Sequence, residues 1–387
     1  SLIALLVIAA LALGCGGTVP PSSGLPTDPV TQGLPSRSLP PAPARVVTGG
    51  HVGPVLDASF SADGASLITA GADGYVHVWD LATGEKRVSL ERHPGAVTAA
   101  RLSPDGRTIV TRAADSQVRI FATRTGQLRA AIEGQSGRLE AGSFSPDSTA
   151  IITGALDGTA TLWDTQTGGV RRVLSSHGDQ VTSATFNHDG GFVLTASHDG
   201  SANVWDANTG SLRVTVEGHA DVLSLADFSW DGRSILTASP DGSAKVWDAS
   251  TGRVRTSLAG STATILSASF SPSGPLAMTA SADGAVRIWD IYSGELRVTI
   301  DGQGQLASAV YNHLGSSIVT ATAGGQARVW TAATGELVAE LVGHTGAIHA
   351  ACFSPDDAAV VTASEDGSVR VWDALTGELR GTFVAGE

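Results

Sequence analysis

The feature that most constrains this sequence is a repeat of 42 residues. Across 387 residues, aromatic side chains recur in phase, and every step between them is 42 except one of 41: Trp79, Phe121, Trp163, Trp205, Trp247, Trp289, Trp330 and Trp372. Eight such units fit between Arg45 and the C-terminus. Units of this length pack on their neighbours, because one unit cannot bury its apolar side chains alone.

Within each unit the pattern predicts short strands and no helix. Runs of apolar and β-branched residues, such as 192–196 and 201–205, lie between turn signals such as Asp199-Gly200 and Thr209-Gly210. Such runs are typical of antiparallel strands joined by hairpins. We therefore predict an all-β fold, an eight-bladed β-propeller of four-stranded antiparallel blades. Its turns explain most of the 47 glycines.

Composition and motif content argue against several classes of protein. The formal net charge of -13 disfavours a nucleic-acid-binding protein, which needs a basic surface. The two cysteines, Cys15 and Cys352, lie in different settings and imply no disulfide framework. The sequence contains no Walker loop, His-Glu-x-x-His motif or Cys-x-x-Cys pair. We therefore predict a non-enzymatic protein with no cofactor and no metal site.

Residues 1–15 resemble the signal segment of a bacterial lipoprotein. The apolar run at residues 2–13 is shorter than the about 20 residues that a membrane-spanning helix needs. Gly14-Cys15 follows directly, as a small residue precedes the lipidated cysteine of a lipobox. We predict that Cys15 is lipidated and that the start of the segment is truncated. The alternative is that the run is the end of a transmembrane helix and Cys15 is incidental.

Residues 16–44 differ in composition from the rest of the chain. Eight of these 29 residues are proline, and Asp28 and Arg37 are the only charged ones. This composition predicts a disordered, partly extended tether before a propeller domain at residues 45–387. With Cys15 lipidated, the expected location is the bacterial cell envelope, membrane-anchored and facing the periplasm or the cell exterior.

The repeating units resemble WD40 repeats. Gly-His and Trp-Asp pairs bracket units of that family's length, for example Gly218-His219 with Trp247-Asp248 and Gly343-His344 with Trp372-Asp373. The resemblance extends over everything after the tether. It implies a non-catalytic propeller that binds protein or peptide partners.

The resemblance also implies a structural role for the repeated polar residues. In WD40 blades the histidine of Gly-His, a strand threonine, the turn aspartate and the tryptophan form a buried hydrogen-bonded tetrad, which satisfies their polar groups. Four units contain the full set: His51, Thr69, Asp73 and Trp79; His177, Thr195, Asp199 and Trp205; His219, Thr237, Asp241 and Trp247; His344, Thr362, Asp366 and Trp372. A catalytic triad in every unit is the disfavoured alternative, because catalytic groups are not copied into each repeat.

Several units depart from this pattern. Gln135, Ser261 and Gln303 replace the histidine in units three, six and seven, and unit two has Phe121-Ala122 in place of Trp-Asp. Unit seven also has Gly324 where the turn aspartate belongs and Thr331 after its tryptophan. Such relaxed repeats mark either a functional face or tolerated decay.

In WD40 propellers the top face around the central channel holds partners. The resemblance places three positions per blade on that face: the two that flank the first apolar residue of the inner strand, and the one before the turn aspartate. The residues that we expect to bind a partner there are Leu56, Arg138, Glu140, Leu156, Gln180, Thr182, His198, Leu266, His349 and Glu365. Trp230 lies outside the repeat phase, where either an interface or ordinary packing explains it.

Two functions remain open at this point. The first is a monomeric, lipid-anchored scaffold of the bacterial envelope that binds partner proteins or peptides. The second is a C-terminal sensor or targeting module of a larger membrane-anchored signalling enzyme, such as a bacterial Ser/Thr kinase. The partner itself is not identified by the sequence.

Ring closure has two possible solutions. Residues 45–48 and residues 380–384 both resemble outer strands, so that nine candidates compete for eight outer positions. Either the N-terminal strand completes the last blade and the C-terminal one is spare, or the reverse. A further possibility is that the chain is truncated at its C-terminus as well.

Overall fold

A computed structural model gives the fold and describes residues 45–132, 139–261, 263–302 and 304–384; for residues 139–142 it describes the backbone alone. Over these ranges the secondary structure is β-strand and turn, and eight sheets follow one another along the chain. The predicted all-β fold of eight four-stranded antiparallel blades is confirmed.

The strands are numbered in chain order, and each blade uses four consecutive strands, here called a, b, c and d. β1 is Arg45–Val47 and precedes the first blade. Blades one to four consist of β2 Val55–Phe60, β3 Ser66–Gly71, β4 Val76–Asp80 and β5 Lys86–Ser89; β6 Val97–Leu102, β7 Thr108–Ala113, β8 Val118–Ala122 and β9 Leu128–Ile132; β10 Leu139–Phe144, β11 Ala150–Ala155, β12 Thr159–Asp164 and β13 Val170–Ser175; β14 Val181–Phe186, β15 Phe192–Ser197, β16 Ser201–Asp206 and β17 Leu212–Glu217.

Blades five to eight repeat the same order. They consist of β18 Leu225–Phe228, β19 Ser234–Ala238, β20 Ala244–Asp248 and β21 Val254–Leu258; β22 Ile265–Phe270, β23 Leu276–Ser281, β24 Val286–Asp290 and β25 Leu296–Ile300; β26 Leu306–Tyr311, β27 Ser317–Thr322, β28 Ala327–Thr331 and β29 Leu337–Leu341; β30 Ile348–Phe353, β31 Ala359–Ser364, β32 Val369–Asp373 and β33 Leu379–Phe383.

The core lies between neighbouring blades, since the facing sides of two sheets bury their apolar residues together. One cluster joins Ile68 and Val78 of blade one to Ile109 and Phe121 of blade two. The a strands contact the a strands of neighbouring blades, as β14 contacts β10 and β18, and they are mostly buried, whereas the d strands are mostly exposed. Strand a therefore lies innermost and strand d outermost.

The meander gives the propeller two unlike faces. The a–b and c–d turns lie on one face, here called the bottom face. The b–c turns and the d–a connections lie on the opposite face, here called the top face.

The C-terminal strand completes the last blade, as the second predicted solution states, but the N-terminal strand is not spare. β33 takes the outer position of blade eight, and β1 then pairs with β33 as a parallel fifth strand, with Arg45 opposite Gly381. The expectation that one terminal strand is spare was therefore wrong. A d strand with no neighbour leaves a free row of backbone donors and acceptors, which the N-terminal strand uses here.

β1 also connects blade eight to blade one. The Arg45 side chain donates a hydrogen bond to the carbonyl of Ala82 in the c–d turn of blade one, at 2.9 Å. At the other end of β1, the Gly50 N–H donates to the carbonyl of Val384, at 2.7 Å. Because β1 runs parallel to strand d, Arg45 lies at the edge of the bottom face.

Candidate functional site

Blades four and eight contain the complete tetrad as a hydrogen-bonded chain. In blade eight His344 Nδ1 lies 2.8 Å from Asp366 Oδ2, His344 Nε2 lies 2.7 Å from Thr362 Oγ1, and Trp372 Nε1–H donates to that hydroxyl at 2.8 Å. The three corresponding distances in blade four are 3.1, 2.7 and 2.9 Å. Each polar side chain of the tetrad therefore has a hydrogen-bond partner, which a polar group needs when it is buried.

The same chain of residues exists in blade one, with one addition. His51, Thr69, Asp73 and Trp79 are joined by distances of 3.0, 2.9 and 3.0 Å. The His51 ring packs on the His77 ring, with 4.6 Å between the centroids. Burial lowers the pKa of His77 to about 3, so this second histidine is neutral at physiological pH.

In blade eight, electrostatics favour a neutral histidine and a charged aspartate. Burial lowers the pKa of His344, although Asp366 acts in the opposite direction. Burial alone would raise the pKa of Asp366, but hydrogen bonds from Ser368, the Thr345 N–H and His344 bring it to about 2. A neutral imidazole can donate from Nδ1 to the carboxylate and accept the threonine hydroxyl at Nε2.

Blade five does not assemble the tetrad in the expected way. His219 Nε2 lies 2.7 Å from Thr237 Oγ1, but its Nδ1 lies 3.0 Å from Ser243 Oγ, and Asp241 makes no hydrogen bond to the ring. Pro240 precedes Asp241 and has no N–H to donate to the carbonyl of residue 222, as His198 does to Gln180 in blade four. Strand β18 accordingly starts at Leu225 and is shorter than its counterparts.

Blade two keeps part of the network through a histidine that the sequence reading missed. His93 is in phase with His51 and lies 2.7 Å from Thr111 Oγ1. Phe121 offers no N–H to that hydroxyl, and Arg119 rather than a histidine donates to Asp115, at 2.6 Å. The 42-residue phase was the signal that could have identified His93.

Among the described residues, blades three, six and seven keep the tryptophan end of the network. Trp163, Trp289 and Trp330 donate to Thr153, Thr279 and Thr320 at 2.7, 2.9 and 2.9 Å. In blade six the turn aspartate, Asp283, receives Arg287 at 2.8 Å in place of a histidine. The tryptophan–threonine bond is therefore the most widely kept part of the tetrad in the described residues.

A second repeated interaction was not foreseen. An arginine on strand d donates to the aspartate of Trp-Asp seven residues earlier, as Arg213 does to Asp206 at 2.7 Å. Equivalent pairs join the following residues: Arg87 and Asp80, Arg171 and Asp164, Arg255 and Asp248, Arg297 and Asp290, Arg380 and Asp373. The recurring arginine seven residues after each Trp-Asp aspartate was the available signal.

The tetrads have the residue order of a hydrolytic triad but cannot act as one. Thr362 is 0% exposed, and Trp372 already donates to its hydroxyl. A nucleophile needs an open path to its substrate and a free oxygen lone pair. The network is therefore structural in this geometry.

The top face carries the other set of candidate residues. Gln180 and His198 face each other at the entrance to blade four, with the Gln180 amide nitrogen 3.1 Å from His198 Nε2. Thr182 donates to the carbonyl of Leu223 in blade five, at 2.8 Å, and so joins two blades. In blade eight burial lowers the pKa of His349, and the exposed Glu365 lies close enough to oppose that shift.

Three leucines complete the described part of this face. Leu156 is 40% exposed, whereas Leu56 and Leu266 are half-buried, and Leu266 packs against the core between blades six and seven. Arg138 lies outside the described residues, as does the side chain of Glu140. The predicted lipidation site, Cys15, also lies outside them.

Other chemistry is limited within the described ranges. Cys352 is 4% exposed, and its thiol contacts the carbonyl of Ala58 in blade one. Among the described residues, no group of three or more histidine, cysteine, aspartate or glutamate side chains could hold a metal ion. Nor do these residues include a helix that is long and apolar enough to cross a membrane.

Comparison with solved structures supports the fold. A crystal structure of the computationally designed Ika8 protein matches with a TM-score of 0.75 and 28% identity, covering 85% of this chain and 99% of that one. The C-terminal WD40 domain of Sif2 matches with a TM-score of 0.72 and 18% identity, covering 83% and 96%. A comparison with curated proteins found no match.

Comparison with family models gives the family. The model described as "WD domain, G-beta repeat" matches seven segments, residues 43–80, 84–121, 126–164, 168–206, 210–248, 252–290 and 335–373. The unmatched interval, residues 291–334, contains the first three strands of blade seven, which lacks the histidine, the turn aspartate and the aspartate of Trp-Asp. With seven matched repeats and eight blades, this chain belongs to the WD40 repeat family.

Proposed function

We propose that this protein is a non-catalytic scaffold that binds partner proteins or peptides on its top face. Membership of the WD40 family is consistent with an interaction scaffold. The repeats themselves supply the observation that carries the proposal. Before the b–c turn, blades one, two, six and seven have alanine, which shows how little this position needs for folding, whereas blades three, four and eight have Leu156, His198 and Glu365.

These three larger residues extend into the top face without a repeated structural task. Leu156 and Glu365 are exposed, and His198 is half-buried against Gln180. An exposed leucine close to side chains that donate and accept hydrogen bonds suits a peptide, because a peptide presents apolar side chains and backbone polar groups together. Blades three and four are neighbours and would form the binding side, whereas Glu365 of blade eight lies across the ring from blade four.

A paired substitution tests this assignment. Leu156→Glu combined with His198→Ala should remove most captured partner protein in a pull-down from the source cells, read by quantitative mass spectrometry. The matched control is Leu128→Glu, since Leu128 on strand d is 42% exposed and Leu156 is 40% exposed. Loss of partners with the control alone, or equal capture by both variants, would overturn the top-face assignment.

We further propose that the propeller is anchored in a bacterial cell envelope through a lipid on Cys15. Arg45 lies at the edge of the bottom face, so a tether that precedes it joins the propeller on the side opposite to the top face. The test compares the full chain with Cys15→Ala in cell fractionation and lipid labelling. An unlabelled wild-type protein would remove the anchor and leave the top-face proposal intact.

The second candidate is a sensor or targeting module of a larger membrane-anchored signalling enzyme. The apolar run at residues 2–13 and the proline-rich residues 16–44 support this module as well as they support a lipoprotein. The end of a transmembrane helix is apolar, as a signal segment is, and an interdomain linker has the composition of a tether. Sequence upstream of Ser1 separates the two: a short basic start favours the lipoprotein, and a kinase domain favours the module.

A further inference from the structure

The eight a–b turns on the bottom face form an internal comparison. The second residue of each turn is Ala62, Pro104, Pro146, His188, Trp230, Pro272, His313 or Pro355. Proline is favoured here because it fixes the backbone angle that the turn requires. Tryptophan and histidine do not fix the backbone angle in this way, so the turn itself does not account for them.

Trp230 and His188 are adjacent on this face and form a pair across two blades. Their ring centroids are 3.7 Å apart, with 40° between the planes, and Trp230 is 40% exposed. The tryptophans that follow the 42-residue period are buried or half-buried. His313 has a different task, since its Nδ1 lies 2.9 Å from the Asp357 carboxylate of blade eight.

An aspartate follows each member of the pair. Asp189 and Asp231 are both exposed. Asp231 uses Oδ1 to accept the Ser229 hydroxyl at 2.6 Å and the Arg233 N–H at 3.0 Å, and the charges of Arg233 and Arg255 also act on it, so Asp189 is the less compensated carboxylate. Asp189 has no hydrogen bond or ion pair to another described residue. Two carboxylates thus stand beside one exposed indole, in a chain whose net charge is -13.

We propose that His188, Asp189, Trp230 and Asp231, here called the Trp230 site, dock a basic segment of a partner protein. A guanidinium stacks on the free side of the indole and bonds to one of the two carboxylates. Arginine suits this arrangement because it combines a planar cation for aromatic stacking with a donor fork for carboxylates. An acidic segment would be repelled by both aspartates, and a purely apolar one would leave them desolvated.

This site is separate from the top-face function. The a–b turns lie at the opposite end of the strands from the b–c turns that carry His198 and Glu365. The two proposals can therefore fail independently, and a protein with both sites would connect two partners through one rigid ring.

The test uses a fluorescein-labelled, capped peptide with two arginines separated by glycine, and a counterpart with glutamine for arginine. Fluorescence anisotropy on the full chain measures Kd at low and at moderate salt. Trp230→Pro should raise Kd about fivefold, and Asp189→Asn about two- to threefold. Proline is the residue that the same turn has in blades two, three, six and eight, so this variant should retain the fold.

Matched controls separate the Trp230 site from general attraction to an acidic protein. Tyr292→Ala removes an aromatic residue that is 68% exposed on the same face, and Asp63→Asn removes the equivalent turn charge in blade one. Both should leave Kd within twofold of wild type, as should His198→Ala on the top face. Equal binding of the glutamine peptide, an unchanged Kd in Trp230→Pro, or an equal loss in Asp63→Asn would each overturn the proposal.

A second measurement needs no label. Because Trp230 is the exposed tryptophan, acrylamide should quench its emission selectively, and the arginine peptide should reduce that quenching. Trp230→Phe should abolish the effect of the peptide on quenching. Protection that persists in Trp230→Phe would place the peptide elsewhere and reject the site.

Discussion

Blades seven and eight are neighbours with the same architecture and very different sequences. Blade eight has the complete tetrad, a Trp-Asp pair and the Arg380–Asp373 ion pair, and it is matched as a WD repeat. Blade seven has Gly324 and Thr331 at the two aspartate positions and is not matched. Both nevertheless form four strands in the same register, with Trp330 opposite Ile318 and Trp372 opposite Val360.

The comparison separates what a blade needs in order to form from what stabilises it further. Both blades keep the tryptophan–threonine hydrogen bond and a buried apolar interface. The histidine–aspartate half of the tetrad is therefore dispensable for the blade fold. It ties the d–a connection to the b–c turn, because His344 and the Thr345 N–H both bind Asp366.

The largest expected difference comes from removing that aspartate. Asp366→Ala removes the carboxylate that His344 Nδ1 and the Thr345 N–H share and leaves His344 Nδ1 only the Ser368 hydroxyl, 3.3 Å away, so it should lower the free energy of unfolding by about 2 kcal/mol. Gly324→Ala is the matched change in blade seven and should alter it by less than about 0.5 kcal/mol, since a Cβ there meets no atom closer than 3.7 Å. Denaturant titration of both variants measures the difference, and equal losses would refute the comparison.

Acid should affect the blades that have histidines more than those that lack them. Burial, helped by Lys245, lowers the pKa of His219 to about 4, below the about 6.5 of an unfolded chain. Between those values the unfolded state binds a proton that the folded state does not, so stability is lost as pH falls from about 6.5 to 4.

His219→Gln tests that dependence with a residue the chain already uses, because Gln303 occupies this position in blade seven. Thermal unfolding between pH 4 and pH 7 should show a shallower loss in the variant than in wild type. Parallel profiles would show that this histidine does not contribute to the acid sensitivity.

Blade seven should also gain stability when part of the lost network is restored. Gly324→Asp gives the b–c turn a carboxylate at the position of Asp73, which accepts the Tyr75 N–H at 3.1 Å in blade one. In blade seven the corresponding Gln326 N–H already donates to Thr322 Oγ1 at 3.1 Å, so the new carboxylate would share that donor. Removing a glycine also restricts the unfolded chain, so we expect a gain of about 0.5 kcal/mol. Gly324→Ala isolates the second contribution, and a destabilised aspartate variant would contradict the expectation.

The smallest effect is expected on the outer strands. Arg380→Met should lower the free energy of unfolding by about 0.5 kcal/mol or less, because its ion pair with Asp373 is largely exposed. The loss should disappear at 1 M salt, where exposed charges are screened. A larger, salt-independent loss would mean that packing of the arginine stem, rather than its charge, supports strand d.

The 42-residue period was sufficient to predict the number of blades, because the tryptophans and turns that define it recur whether or not a blade binds a partner. It also located Thr195 and Trp205, whose roles follow from their place in the repeat. It did not predict that the His219 ring in blade five bonds to Ser243 and not to Asp241, in the one b–c turn where proline precedes the aspartate.

The pairing of strands and turns that are distant in the sequence could not be predicted either. The parallel alignment of Arg45 with Gly381 joins residues from opposite ends of the chain, and strand propensity says nothing about direction. The stacking of His188 on Trp230 depends likewise on two turns that are brought together by the ring alone. In the sequence Trp230 was visible only as a tryptophan out of phase.

The seam at β1 has a consequence for how such a ring can be cut and rejoined. Each blade is one continuous piece of chain, and Val384 occupies the repeat position of Gly49, directly before Gly50, to which it is already hydrogen-bonded. A direct covalent link from Val384 to Gly50 would therefore reproduce the connection that follows every other blade. New termini could then open in another d–a connection, and the order of blades along the gene would become independent of their order in space.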